Sequence, residues 1–369
     1  MRGDVLSSEM PGLAGKTSSR RSVRGRRAYR PALGAVAFAV IALVAACSSS
    51  GSSGTTPAAG SGASSLKTVT LDAAFYGPVD VPLYYAEAKG YFAKEGLDVK
   101  FVVASSNTQL ASVLGGSVQF ASSSPINVLK AAQNGAQLVN FMAVEIGYSE
   151  DVIMSKQAYA AAGLTANSTV KQKIEALAGK KLGVISATGE NAIIFKYLFN
   201  YAGVPLSQLD MVQLGTPQAI QAALKQGTIA GANVGSPYPA ESVTDGYAEY
   251  LFHAPLSEIP PMSSAITQTL SASQSYYNSN QDTIKKFIAG YQMGLAALAN
   301  DPTGTATFVA KKYFTDTSLS DFMTSFEEDL PVIAKSVTIS AAQQDALKTI
   351  ASGAGVTIPS NWDSFFVSP

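Results

Sequence analysis

The chain has 369 residues, with 26 Lys plus Arg balanced by 26 Asp plus Glu, 47 % hydrophobic residues, one Cys and one His. A single cysteine excludes an intrachain disulfide, and a single histidine excludes a His/Cys zinc site or a Cys–His dyad. The zero net charge hides an asymmetry, because every arginine (Arg2, Arg20, Arg21, Arg24, Arg26, Arg27 and Arg30) lies near the amino end.

That basic stretch is followed by the apolar run Pro31–Ala46 and then by Cys47. Basic residues, a short apolar stretch and small residues form an export signal rather than part of a fold. The run is shorter than the about 20 residues a transmembrane helix needs. Leu43-Val44-Ala45-Ala46-Cys47 resembles a bacterial lipobox, which implies that 1–46 is a lipoprotein signal peptide and Cys47 the lipidated residue. Arg20-Arg21 and Arg26-Arg27 leave the export route open between the general secretory and twin-arginine systems. Without residues 1–46 the chain carries 18 Lys and 24 acids, a net charge of −6. An acidic, arginine-free body is poorly suited to nucleic acid, whose phosphates are met mainly by Lys and Arg. Residues 47–66 are dominated by Ser, Gly, Ala, Thr and Pro and read as a flexible tether. The remainder, 67–369, is long enough for two domains of ordinary size.

Strand-like and helix-like segments alternate through this body, the pattern of α/β architecture. Strands are expected at Val69–Phe75, Leu97–Val103, Ser117–Ala121 and Leu138–Val144. Between them, helices run from Asp80-Val81-Pro82 to about Glu95, from Asn107 to Leu114, and from Ser124-Pro125 to Gly135. A second set begins with a short helix from Lys173 to Ala178, then a strand at Lys181–Ser186 and a helix from Thr188 to Gly203. A strand at Asp210–Leu214, a helix capped by Thr216-Pro217 and ending at Gly227, and a strand at Ile229–Val234 complete it. Asp151–Ser155 and Ser264–Thr267 are short β-like runs, read as the crossovers between two lobes. From about Ser271 the chain is mostly helical. Ile284, Phe287, Ile288, Tyr291 and Leu295 form a core stripe at helical spacing. His253 lies in the strand-like Tyr250–Ala254 and is expected to be a packed structural residue.

The segment Pro82-Leu83-Tyr84-Tyr85-Ala86-Glu87-Ala88-Lys89-Gly90-Tyr91-Phe92-Ala93-Lys94-Glu95-Gly96-Leu97-Asp98-Val99 resembles a hallmark of one family. These are the substrate-binding proteins of ABC importers for nitrate, sulfonate, taurine and thiamine precursors. Ala111–Phe120, Leu177–Val184 and Ala222–Gly231 resemble three further family segments in the expected order. Gln119 and Ala230 stand where the family has Asp; that Asp is read as mainly structural. The resemblance implies a type II periplasmic-binding fold, two α/β lobes with a hinge and a ligand cleft. Lobe 1 is expected to comprise 67–155 plus 265–369, and lobe 2 156–264. It further implies a monomeric, extracytoplasmic lipoprotein held on the cell membrane, delivering a small molecule to an ABC permease and ATPase. No cofactor, metal or catalytic residue is expected.

Open α/β sheets bind ligands beyond the carboxyl ends of their strands. That rule nominates Phe75, Tyr76, Ser123, Ser124, Glu145, Thr188, Glu190, Asn191 and Tyr238 as ligand-binding residues. Ser124 and Thr188 are equally explained as helix caps, and both glutamates as solvated charges or helix-dipole partners. Planar anions are most often gripped by Arg, which the body lacks. Carboxylates beside aromatic rings instead suit an amine-bearing or zwitterionic molecule, aminopyrimidine-like or taurine-like. The alternatives are an alkanesulfonate or nitrate-type anion, an enzyme of thiamine-precursor synthesis on the same fold, and a sensory or adhesion module.

Overall fold

A computed structural model describes residues 65–73, 77–102, 108–254 and 258–368. Cys47, Phe75 and Tyr76 lie outside the described residues, as do the signal peptide and nearly all of the tether. The first half of the body contains β1 (Lys67–Ala73), α1 (Val81–Ala88), α2 (Tyr91–Lys94), β2 (Leu97–Val102), α3 (Gln109–Leu114), β3 (Phe120–Ser123), α4 (Pro125–Gln133) and β4 (Leu138–Ile146). The second contains β5 (Asp151–Ser155), α5 (Lys156–Ala161), α6 (Val170–Glu175), β6 (Lys181–Val184), α7 (Glu190–Ala202), β7 (Asp210–Gln213), α8 (Pro217–Lys225), β8 (Gly231–Val234), α9 (Tyr238–Thr244) and β9 (Ala248–Phe252). The chain then passes through α10 (Pro260–Ser264), β10 (Ile266–Ser273), α11 (Gln274–Ser279), α12 (Gln281–Asn300), α13 (Pro302–Tyr313), α14 (Leu319–Asp329) and α15 (Ala341–Gly353).

Two five-stranded sheets result, ordered β2-β1-β3-β10-β4 and β7-β6-β8-β5-β9. Each has parallel strands interrupted by one antiparallel strand, β10 in the first and β5 in the second. Those two strands are the ones that enter from the other lobe. Asp151–Ser155 is therefore not merely a crossover but an inner strand of the second sheet, paired with both β8 and β9. A short β-like run looks the same in sequence whether it joins sheets or completes one. The lobes are connected through 147–150 and 253–265, where the Gly147 amide donates to Ala265 O at 2.7 Å and Thr267 Oγ1 donates to Gly147 O at 2.7 Å.

Local chemistry explains most element ends. Thr216 Oγ1 accepts from the Ala219 amide at 3.2 Å, with Pro217 at the first helical position. Gly203 ends α7 in the left-handed region, at φ 74°. The helix expected from Asp80 to Glu95 is broken in two, because Gly90 adopts φ 67° between α1 and α2. Gln119 holds β3 to β1: its Oε1 accepts from the Thr70 amide at 2.8 Å, and its own amide donates to Thr70 O at 2.9 Å.

The C-terminal region, expected within the first lobe as part of 265–369, contacts both sheets' halves. Residues Val332, Ala334 and Val337 bond along the edge of β4. Helix α15 then packs against α7 and α10, placing Leu347 and Ile350 in one core with Ile194 and Leu198. The chain returns to the first sheet, where the Val367 amide donates to Asn140 O at 3.0 Å.

The expected stripe on α12 is buried, with Phe287 stacked on Phe92 at 4.8 Å. Gly290 and Gly294 let α12 approach α2 and α1 closely, for a Cβ at Gly294 would run into the Pro82 carbonyl. Gly294→Val should lower unfolding stability by about 1–3 kcal/mol in urea titration. Gly77→Ala, where no atom lies near the added methyl, should leave it within about 0.5 kcal/mol.

Candidate functional site

The parallel strands of each sheet aim their carboxyl ends at one edge, and the chain directions bring those edges together. From the first sheet come Ser124 after β3, Glu145 near the end of β4, and Tyr148 and Glu150 in the connection that follows. From the second come Thr188 and Glu190 at the start of α7, Ser236 after β8 and His253 after β9.

Hydrogen bonds join the facing edges of the lobes. Ser124 Oγ donates to Glu190 Oε1 at 3.3 Å, Lys130 Nζ donates to Thr188 O, and Ser236 Oγ donates to Glu328 Oε2 at 3.1 Å. Ser124 is the residue before α4, yet its side chain makes no capping bond. Thr188 is exposed, its hydroxyl is 3.3 Å from Ser186 Oγ, and the residue capping α7 is Gly189. Neither side chain serves as the alternative helix cap: the Ser124 hydroxyl reaches Glu190 of the other lobe, whereas Thr188 contacts the other lobe through its backbone carbonyl.

Three nominated residues are engaged elsewhere. Ser123 Oγ lies 3.2 Å from Ser271 Oγ inside the first sheet. Asn191 Nδ2 donates to Asn233 Oδ1 at 2.9 Å, because its place on α7 turns it toward β8. Tyr238 OH accepts from Gln218 Nε2 at 2.6 Å within the second lobe. The aromatic group beside the carboxylates is instead Tyr148, fully buried and with no hydrogen-bond partner for its hydroxyl.

The electrostatics are dominated by acids, of which Glu145 and Asp329 are buried and Glu150 and Glu190 half-buried. Glu145 is only 6 % exposed; its Oε1 accepts from the Ser149 amide at 3.1 Å. Burial and then the charge of Glu150 hold its carboxyl well above the usual range, with Glu190 and Asp329 adding to the effect. Glu190 is raised by burial and by Glu150, against the opposing influence of Ser124 and Lys130. Burial lifts Glu150 to about 7. Tyr148 is raised by burial and by the charges of Glu190, Glu150 and Glu145. Asp329, on α14, is raised by burial and by Asp151, and its Oδ1 has no partner.

Lys130, Tyr148, Glu150, Glu328 and Asp329 stand beside the nominated residues without having been nominated by the strand-end rule. Lys130 lies within a helix, so a survey of strand-end loops passed over it; burial and then Lys196 lower its pKa, while Glu190 raises it. The signal for Tyr148 and Glu150 was their place in the crossing that leaves β4. His253 is half-exposed rather than packed, with Nδ1 3.0 Å from Oδ1 of the buried Asp151. Its pKa is raised, chiefly by that bond. Among the described residues, no group of three or more His, Cys, Asp or Glu is placed to hold a metal ion, and no helix is long and apolar enough to cross a membrane. A surface depression of about 420 Å³ lined by Ala161, Leu164, Gln172 and Lys180 follows β5, at the sheet edge opposite the cleft.

The model of the family described as "NMT1/THI5 like" matches residues 78–305, which include both sheets' cleft edges. The chain belongs to the NMT1/THI5-like family. No curated protein matches the sequence. Similar solved structures include the alkanesulfonate-binding protein SsuA of Xanthomonas axonopodis pv. citri bound to MOPS, 13 % identical with a TM-score of 0.61, covering 82 % of this chain and 98 % of that one. The periplasmic aliphatic sulphonate-binding protein SsuA of Escherichia coli is 16 % identical with a TM-score of 0.62, covering 79 % and 94 %. The periplasmic nitrate-binding protein NrtA of Synechocystis PCC 6803 is 14 % identical with a TM-score of 0.62, covering 81 % and 84 %. The two-lobed periplasmic-binding fold is thus shared with these proteins.

The NMT1/THI5-like chain carries one further buried acid. Asp80, just before α1, is 1 % exposed, neither carboxyl oxygen has a partner, and burial lifts it to about 8. A carboxyl raised on folding stabilises the fold fully below its ordinary pKa, and that contribution disappears as pH rises through the raised value. The melting temperature of the unliganded body should therefore fall as pH is raised from about 5 to about 9. Asp80→Asn should flatten the upper part of that curve in calorimetric scans, and an unchanged curve would remove Asp80 from the account.

Proposed function

We propose that this protein is the extracytoplasmic substrate-binding component of an ABC importer, capturing a small amine-bearing or zwitterionic molecule and delivering it to a permease. The observation that carries the ligand class is the group Glu145, Glu150 and Glu190. These acids are drawn together between two lobes beside an unpartnered Tyr148 hydroxyl, with Lys130 the cation at hand. An ammonium or aminopyrimidine group would donate to these carboxylates, each charge-assisted bond contributing about 1.5–3 kcal/mol. The acidic end of a zwitterion would meet Lys130 and the Ser124 hydroxyl. Binding and release, rather than chemistry, fit a site whose nearest histidine is already bonded to Asp151.

In the similar proteins named above the ligand classes are alkanesulfonate, aliphatic sulphonate and nitrate. A ligand of purely anionic character is the competing outcome. Thermal-shift screening of amines, aminopyrimidines, taurine, alkanesulfonates and nitrate on residues 67–369 separates the two. A ligand at 100-fold excess over its Kd should stabilise the protein by about 2.7 kcal/mol. With the best amine, Glu145→Gln and Glu190→Gln should each weaken binding by about tenfold or more in calorimetry. Equal or tighter binding in both variants would retire the amine reading.

Membrane attachment is proposed through a lipid on Cys47, with the Ser/Gly-rich segment to residue 66 as its leash. Cys47→Ser should move the protein out of the membrane fraction or leave an uncleaved precursor. A variant that fractionates and migrates like the parent would end the lipoprotein assignment.

A further inference from the structure

Glu145 and Glu150 belong to the first lobe and the connection leaving it, and Glu190 opens α7 of the second lobe. The meeting of the lobes seats Glu190 against Ser124 of the first lobe at 3.3 Å, with Glu145 buried and Glu150 and Glu190 half-buried. Every neighbouring element contributes a charged or titratable group. The β4–β5 connection supplies Tyr148, β5 supplies Asp151, α4 Lys130, and α7 Lys196 and Tyr197. Helix α14 supplies Glu328 and Asp329, and the segment after β9 supplies His253. The balance is strongly negative. Lys130 acts on Glu190 alone among the three glutamates, and Lys196 opposes it. Ser124 donates to only one Glu190 oxygen and the Ser149 amide to one Glu145 oxygen. The fully buried Tyr148 hydroxyl, unpartnered and under the influence of all three glutamates, is an independent sign that a polar group is meant to stand there. The carboxyls do not converge as a metal site would among the described residues. An organic cation, which donates hydrogen bonds in several directions, fits the arrangement.

We propose that the cleft is a proton–cation exchange site, in which closure requires positive charge between Glu145, Glu150 and Glu190, supplied by protons when the cleft is empty and by an organic cation when it is filled. This rests on reading the interlobe edge as the ligand cleft. In the exchange, each carboxylic acid that meets the ligand releases its proton to solvent, and the resulting carboxylate accepts a hydrogen bond from the ligand's N–H. No bond other than O–H is broken. The direction with pH follows from the raised carboxyls. Below their raised values they are neutral and the empty lobes stay together. Above them the ionised acids repel and the empty cleft opens, while a cation restores closure.

Small-angle scattering on ligand-free residues 67–369 tests the exchange without knowledge of the natural ligand. The radius of gyration should increase as pH is raised from about 5 to about 9, with Glu150, held near 7, among the titrating groups. At the upper pH, methylammonium chloride should restore the compact value, whereas sodium chloride at equal ionic strength should not. Glu145→Gln combined with Glu190→Gln should remain compact across the range. Glu150→Gln, a single change that retains two acids, should move the midpoint upward, and circular dichroism confirms that each variant is folded. A radius of gyration independent of pH, or a transition kept unchanged in the double variant, overturns the proposal. A transition that vanishes in the double variant while no amine stabilises the wild type would sustain the charge requirement and defeat only the amine-carrier reading.

Discussion

Bringing like charges into a shared, partly buried space is the constraint on which the meeting of the two lobes turns. In bulk water two carboxylates 4 Å apart repel by about 1 kcal/mol, but at an effective dielectric near 20 the figure is about 4 kcal/mol. Glu190 comes near Glu145 and Glu150 only because the lobes meet, so its repulsion from them is a property of closure rather than of either lobe alone. The interlobe bonds Ser124–Glu190 and Ser236–Glu328 each use a neutral hydroxyl to donate to an acid, which tolerates either charge state of the acceptor. Lys130 bonds a backbone carbonyl instead of a carboxylate. Such neutral clasps hold the lobes together without cancelling the acids, and leave the neutralising position open to a ligand or to protons.

The absence of arginine after residue 30 gives this arrangement its character. A guanidinium keeps its charge under all accessible conditions and would fix an anion permanently in place. Lysine is a point charge whose pKa responds to burial, and Lys130 is lowered by burial and by Lys196. A cleft built from lysine and glutamate can adjust its protonation on closing, whereas one built from arginine cannot. The shared fold with the sulfonate- and nitrate-binding proteins therefore does not carry their ligand class with it, because ligand class resides in the side chains at the strand ends.

Much of the fold was legible because local rules and tertiary structure agree. Pro217 after Thr216, Gly203 after α7 and the spacing of Ile284, Phe287, Ile288 and Tyr291 each encode their role within a few residues. The strand-end rule needs only the order of elements, and it nominated Glu145, Ser124 and Glu190, of which the last two bond each other across the lobes. Side-chain partners were harder to read, for a common reason. Asn191 is next to Glu190 in sequence, but one step along a helix turns the side chain by 100°, here from the cleft to Asn233. Tyr238 and Ser123 found partners within their own lobes, and nothing near them in sequence names Gln218 or Ser271. Asp151–Ser155 carries no mark distinguishing a connecting strand from an inner one. Lys130 became relevant only through contact with the opposite lobe, and no periodicity of α4 records that.

The path of the last forty residues limits how those lobes can move. Helix α15 shares a core with α7, where Leu347 and Ile350 lie beside Ile194 and Leu198, and Asn200 Nδ2 bonds Gly353 O. Before α15 the chain is bonded to β4 through Ala334, and after it through Val367. Helix α15 also packs against β10, so it touches both lobes while its flanking segments bond the first sheet. With the passages at 147–150 and between β9 and β10, it ties the two halves together. Tyr148 N donates to Met262 O at 3.2 Å and ties two of the passages together. The Ser124–Glu190 and Lys130–Thr188 contacts connect the first lobe to the start of α7. The lobes are thus held both at their crossings and at their facing edges, and on the proposed reading charge on Glu190 acts on the second set of contacts while the first keeps the lobes joined.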